Sequence, residues 1–170
     1  MKQILFDILI VTAVSGTLWL LYVNYNQIVI EKLFGPQNQI IYIENLAVSV
    51  SVAETDAERK QGLSGVAELG ELEGKLFIFE EEDFYSIWMK DMLIPLDIIW
   101  INNEYEIVHI EEQVSPDSFP KSFSPAEPAR FVLEVNSFFT DSFNINTGDM
   151  VTIPAGLLPD DLRDRLIGIE

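Results

Sequence analysis

The chain has 170 residues, 48% of them hydrophobic, with 28 acidic against 10 basic side chains, no cysteine and a net charge of −18. That length holds one domain plus an appendage. The absence of cysteine excludes disulfides, thiol nucleophiles and thiolate metal sites, and no cluster of cations is present to neutralise nucleic-acid phosphates. An acid-rich surface of this kind keeps a domain soluble and monomeric.

The first element is apolar. Ile4 to Val23, ILFDILIVTAVSGTLWLLYV, carries one charge, Asp7. A helix of this length spans about 30 Å, the thickness of a bilayer core. Trp19 and Tyr22 lie toward its far end, where amphipathic rings favour the membrane interface. A cleaved signal peptide is the alternative, with Ala13 and Ser15 at suitable spacing, but the apolar run continues past them. Residues 1–23 are therefore expected to be a transmembrane anchor. Lys2 precedes the span and the next cation is Lys32, which places the domain on the extracytoplasmic side. Residues 24–38 read as a linker, punctuated by Gly35-Pro36.

Short strands follow. Ile40–Ile43 and Leu46–Ala53 lead, and in the second of these Val48, Val50 and Val52 alternate with small residues, so the valines face a core. Thr55 and Glu58 have capping-box spacing for a helix over 55–61, which Gly62 ends. LFIF at 76–79 is a buried strand closed by the acidic turn EEED. Tyr85–Lys90 and Leu96–Ile101 read as a hairpin, with Pro95 at a strand entrance. Tyr105–Glu112 is the next strand, after the turn at Asn102-Asn103. The proline-rich stretch VSPDSFPKSFSPAEPA is either a binding lid or a packed crossover. RFVLEV at 130–135 is a strand, Ser137–Phe143 a short helix, Met150–Ile153 the last strand, and Asp160–Leu166 a helix within a C-terminal segment, 155–170. The domain, 39–154, is thus expected to be α+β and mostly β: an antiparallel sheet curled into a small barrel or sandwich with one or two short helices.

The order of motifs carries a resemblance. ERKQGLSG, GKLFIF, IWMKDMLIPLDIIWI, PARFVLEV and NTGDMV occur in that sequence. The chain resembles the family called domain of unknown function 192 over about residues 46–153, and the WMK…IPLD block is its specific part. The resemblance implies a compact, mostly β fold that is often exported or membrane-attached, and no settled activity. The matching positions are Gly62, Leu63, Trp88, Met89, Lys90, Pro95, Leu96, Asp97, Leu133, Glu134, Gly148 and Asp149. The chain departs from the pattern at Val66, where the family usually has arginine, at Lys75 for methionine and at Asp91 for asparagine.

The hairpin also holds the candidate chemistry. With its turn between Leu93 and Ile94, Lys90 lies opposite Asp97 and Trp88 opposite Ile99, within side-chain reach. A Lys90–Asp97 pair flanked by Trp88 and Trp100 is either a ligand-binding site or a device that fixes register and closes one end of the core. The ligand-binding candidates are Trp88, Lys90, Asp97 and Trp100, in a shallow pocket bordered by the proline-rich loop. Tryptophans beside a charged pair suit carbohydrate, peptide or envelope-polymer fragments. The function expected is a membrane-tethered, extracytoplasmic binding or accessory module. One alternative is a hydrolase using Asp97 with Lys90 or His109; another is an acidic protein-interaction module. His109 is the chain's one histidine and cannot alone make a multi-histidine metal site. Glu134 shares a strand face with Arg130, which suggests a surface ion pair. No serine lies in a G-x-S-x-G elbow, and the clusters ELGELEGK and EEED lack the alternating oxygen spacing of a calcium loop. No catalytic residue, metal or cofactor is assigned, and no nucleic-acid partner is expected.

Overall fold

The computed structural model describes residues 38–167, and the expected anchor over 1–23 and all but the last residue of the expected linker over 24–38 lie outside them. Among the described residues no helix is long and apolar enough to cross a membrane. The elements in chain order are β1 (Gln39–Ile43), β2 (Leu46–Ala53), α1 (Asp56–Gln61), β3 (Glu73–Asp83), β4 (Ile87–Trp88), β5 (Leu96–Ile101), β6 (Ile107–Val114), β7 (Ser122–Phe123), β8 (Ala129–Asn136), α2 (Phe139–Phe143), β9 (Val151–Thr152) and α3 (Asp160–Ile167).

Seven strands form one sheet in the order β6-β5-β8-β3-β2-β1-β9. It curls into a half-barrel until the start of β6 meets the start of β9: Glu106 bridges Met150, and Ile107 N–H donates to the Asp149 carbonyl at 2.9 Å. The sheet is not wholly antiparallel as expected, because β2 and β3 run parallel. Parallel neighbours need a long crossover, and residues 54–72, with α1 at their start, supply it. α1 keeps the expected capping box, in which Thr55 Oγ1 accepts from Glu58 N–H and the Glu58 carboxylate returns to Thr55 N–H. β3 runs to Asp83, so EEED continues the strand and is not a turn.

Period two sorts the sheet's side chains into two layers. Ile99, Ile101, Leu133 and Val135 face the concave side, joined by Ile41, Val48, Val50, Leu76 and by Leu158 and Leu162 of the C-terminal segment. Leu96, Ile98, Trp100, Val132 and Phe77 face the convex side. That second layer is covered by α1, the turn after it, and a two-stranded sheet of β4 with β7. The proline-rich stretch is therefore a packed crossover, since β7 within it pairs Phe123 with Ile87 and Ser122 with Trp88.

Candidate functional site

The hairpin takes a different form from the one expected. Its tight turn falls at Lys90–Asp91, where Asp91 has φ 56° and Met92 N–H donates to the Met89 carbonyl, and β4 pairs with β7 and not with β5. Trp88 and Lys90 point outward while Met89 is buried at 1% exposure. Asp97, of odd parity on β5, points to the concave side opposite Val135. The proposed Lys90–Asp97 pair is not formed: Lys90 is exposed above the convex layer, and Asp97 is wholly buried behind the sheet.

Asp97 has a full set of partners there. One carboxylate oxygen accepts from Gln113 N–H at 2.8 Å and Phe138 N–H at 3.3 Å, and the other from Thr140 N–H at 3.0 Å and Thr140 Oγ1 at 2.8 Å. Gln113 (φ 53°) lies in the bulge of β6 and Phe138 (φ 67°) precedes α2. Asp97 thus ties two irregular segments to β5. Trp100 is buried on the convex side, donating from Nε1 to the Tyr85 carbonyl at 2.8 Å. His109 packs against Trp100 at 5.3 Å between rings, with Nε2 3.5 Å from the Glu111 carboxylate. His109 and Asp97 stand on opposite faces, so the structure does not bring them together as a dyad.

The convex layer holds the group that the sequence reading placed elsewhere. Glu134 is buried at 4% exposure, and its Oε2 has no hydrogen-bond partner among the described residues. Its expected partner, Arg130, turns away: the guanidinium donates to the Phe79 carbonyl at 2.9 Å and makes a bidentate pair with Asp161 at 2.7 and 2.8 Å. Glu134 lies in a cross-strand row with Lys75 on β3 and Ile98 on β5. Burial pushes its carboxyl up to about 8, against a smaller opposing effect of the Lys75 ammonium. At neutral pH it is therefore a neutral acid, able to donate one hydrogen bond and accept others.

Glu134 lines a cavity of about 60 Å³, together with Arg59, Lys60, Gly62, Phe77, Trp88 and Met92. Space of that size accepts a few waters or a planar group of several heavy atoms. Gly62 forms part of the wall. It has φ 49°, and a Cβ there would lie 3.4 Å from the Phe77 ring and 3.8 Å from Glu134 Oε2. Trp88 is 50% exposed and stands edge-on to Phe119 at 6.1 Å. Beyond it a groove continues over Ile87, Tyr85 and Phe79, whose rings stack at 3.6 Å in the last two cases. Of the four sequence candidates, Trp88 alone lines the cavity; Lys90 stands beside it through its carbonyl, which accepts from Ser64 Oγ at 2.9 Å. Among the described residues no group of three or more metal-ligating side chains comes together.

Solved structures similar to this chain include two of uncharacterised or proposed role. One is a protein of unknown function from Novosphingobium aromaticivorans, 28% identical, with a TM-score of 0.67 over 71% of this chain and 88% of that one. The other is a proposed transcription regulator from Sinorhizobium meliloti, 27% identical, with a TM-score of 0.63 over 67% of this chain and 91% of that one. No curated protein matches the chain. The model of the domain of unknown function 192 family, described as an uncharacterized ACR, matches residues 39–153. That match takes in the crossover turn at Gly62, the β4–β5 segment and the β8 strand that carries Glu134, and the chain belongs to this family.

Proposed function

We propose that the protein is a membrane-tethered, extracytoplasmic ligand-binding module, with its site at the Glu134 cavity and not at a Lys90–Asp97 pair. The observation that carries the reading is the unpartnered, buried Glu134 carboxyl facing a cavity rimmed by an exposed tryptophan. An unsatisfied buried polar atom costs about 1–3 kcal/mol, and a ligand that reaches it recovers that cost. Small concave sites with a few convergent polar groups are the usual form of ligand sites. Binding is favoured over hydrolysis because the cavity lining offers one carboxyl and no histidine, aspartate or cysteine to serve as its partner. The tether rests on the 4–23 segment, whose length and apolarity match a bilayer. Carbohydrate, peptide or envelope-polymer fragments remain the ligands that fit an aromatic rim, and the acid-rich surface favours a monomer.

The test is a ligand-detected NMR screen of polar fragments against the full chain in neutral detergent, repeated with Gly62→Val and Trp88→Ala. Fragments that bind wild type and are lost in both variants support the reading. No binding, or binding indifferent to both substitutions, contradicts it.

A further inference from the structure

The charge around the cavity selects the ligand. Although the chain is strongly acidic, three basic side chains stand at this cavity. Arg59 and Lys60 line the cavity. Lys75 is the cross-strand neighbour of Glu134. Lys90 is tied to the Gly62–Ser64 turn through its carbonyl alone, and the Lys121 ammonium stands over the Phe123 ring at 4.1 Å. Arg59 is already engaged by Asp56 and by the Glu54 and Ile78 carbonyls. Lys60, Lys75 and Lys90 make no ion pair among the described residues. The acids facing the same region are Asp56, held by Arg59, Glu58, held by its capping box, Asp91, exposed in its turn, Glu73, two residues before Lys75 and accepting from Gly70 N–H, and Glu111, beyond Ile98 in the same cross-strand row and 3.5 Å from His109 Nε2. β5 contributes the uncharged Ile98.

Resting on the site proposed above, we infer that the cavity takes the carboxylate of a small ligand, with the unpartnered Glu134 carboxyl as hydrogen-bond donor and Lys60 as counter-ion. A cationic ligand would meet repulsion from the surrounding ammonium groups, and a neutral one would leave Lys60 without use. The body of the ligand is flat or apolar, because it leaves the cavity across the Trp88 indole and the Met92 and Ile87 side chains. An O–H···O⁻ bond between an acid and a carboxylate is among the short, strong hydrogen bonds. It exists only while Glu134 keeps its proton, so the ligand and that proton bind together. Raising the pH above about 8 removes the proton and sets two carboxylates against each other.

The experiment is calorimetric titration of the full chain with phenylacetate, phenylacetamide and benzylamine between pH 6 and pH 9. Phenylacetate is expected to bind best, and its affinity to fall about tenfold for each pH unit above the Glu134 titration. Glu134→Gln keeps a donor of the same shape, so it should retain phenylacetate binding while abolishing that pH dependence. Lys60→Met should weaken phenylacetate about tenfold and leave phenylacetamide unchanged, which a merely structural role for Lys60 would not do. Preference for the amide or amine, lost in Gly62→Val, overturns the carboxylate inference and leaves the site standing. Failure of all three probes to bind overturns the inference and the site together.

Discussion

Asp97 and Glu134 are both acids buried in a sheet, and their surroundings give them opposite roles. Asp97 accepts hydrogen bonds from three backbone amides and a hydroxyl, so both its carboxylate oxygens have partners within the protein. Replacing it should damage the fold: Asp97→Ala strands those donors, and a loss of about 3–5 kcal/mol in urea unfolding is expected. Lys90→Met should change stability by less than about 0.5 kcal/mol, because Lys90 is exposed and makes no ion pair among the described residues. Equal losses at both positions would mean that the two side chains do interact. Glu134 lacks any such partner at Oε2 among the described residues and keeps its proton instead. The residue types and their apolar flanks were legible in the sequence. Which face each acid points to was not, because that depends on where the turn falls, and Lys90-Asp91 gave no strong turn signal. For Glu134 a signal existed: an acid within RFVLEV, a run apolar enough for a strand buried on both faces. The nearby Arg130 supplied a plausible partner and concealed it.

Elements were legible where local chemistry decides them. The capping box of α1 and the alternation of β2 both appear as read. The crossover pairing β2 parallel to β3 was not legible, since no local feature distinguishes a parallel neighbour from an antiparallel one. Nor was the docking of the C-terminal segment, which depends on long-range contacts. Arg130 is buried at 3% exposure and its guanidinium is held by Asp161 of α3, which in turn keeps the Asp161 carboxyl below the usual carboxylate range. Leu158 and Leu162 add their side chains to the concave core. Asp161→Asn should therefore loosen α3 while sparing the sheet. Hydrogen exchange read by mass spectrometry should show faster exchange over 160–167 and unchanged exchange in β8. Unchanged protection in α3 would show that Leu158 and Leu162 hold the segment without the ion pair.

At the scale of the whole molecule, the sheet divides labour between its faces. The concave side is a large apolar core with Asp97 as an internal clamp. The convex side is a thinner core, capped by α1 and the β4–β7 layer, and the cavity opens where those covers meet. The sheet's mostly β character and curl followed from strand spacing and turn residues alone, and the cavity's position followed from nothing local. Keeping a carboxyl unpaired there costs stability, as groups retained for function often do. The central claim is that this carboxyl stays protonated at neutral pH. Because its folded-state value is raised to about 8 from 4.5, the folded protein binds the proton more tightly than the unfolded chain. Its contribution is full below about pH 4.5 and is lost as pH rises through about 8. The deciding measurement is the unfolding free energy of wild type and Glu134→Gln across pH 4.5 to 8.5. The difference between the two should shift against wild type by on the order of 3–5 kcal/mol across that window. A difference that stays constant with pH would mean that Glu134 is already ionised, and the site as described would not exist.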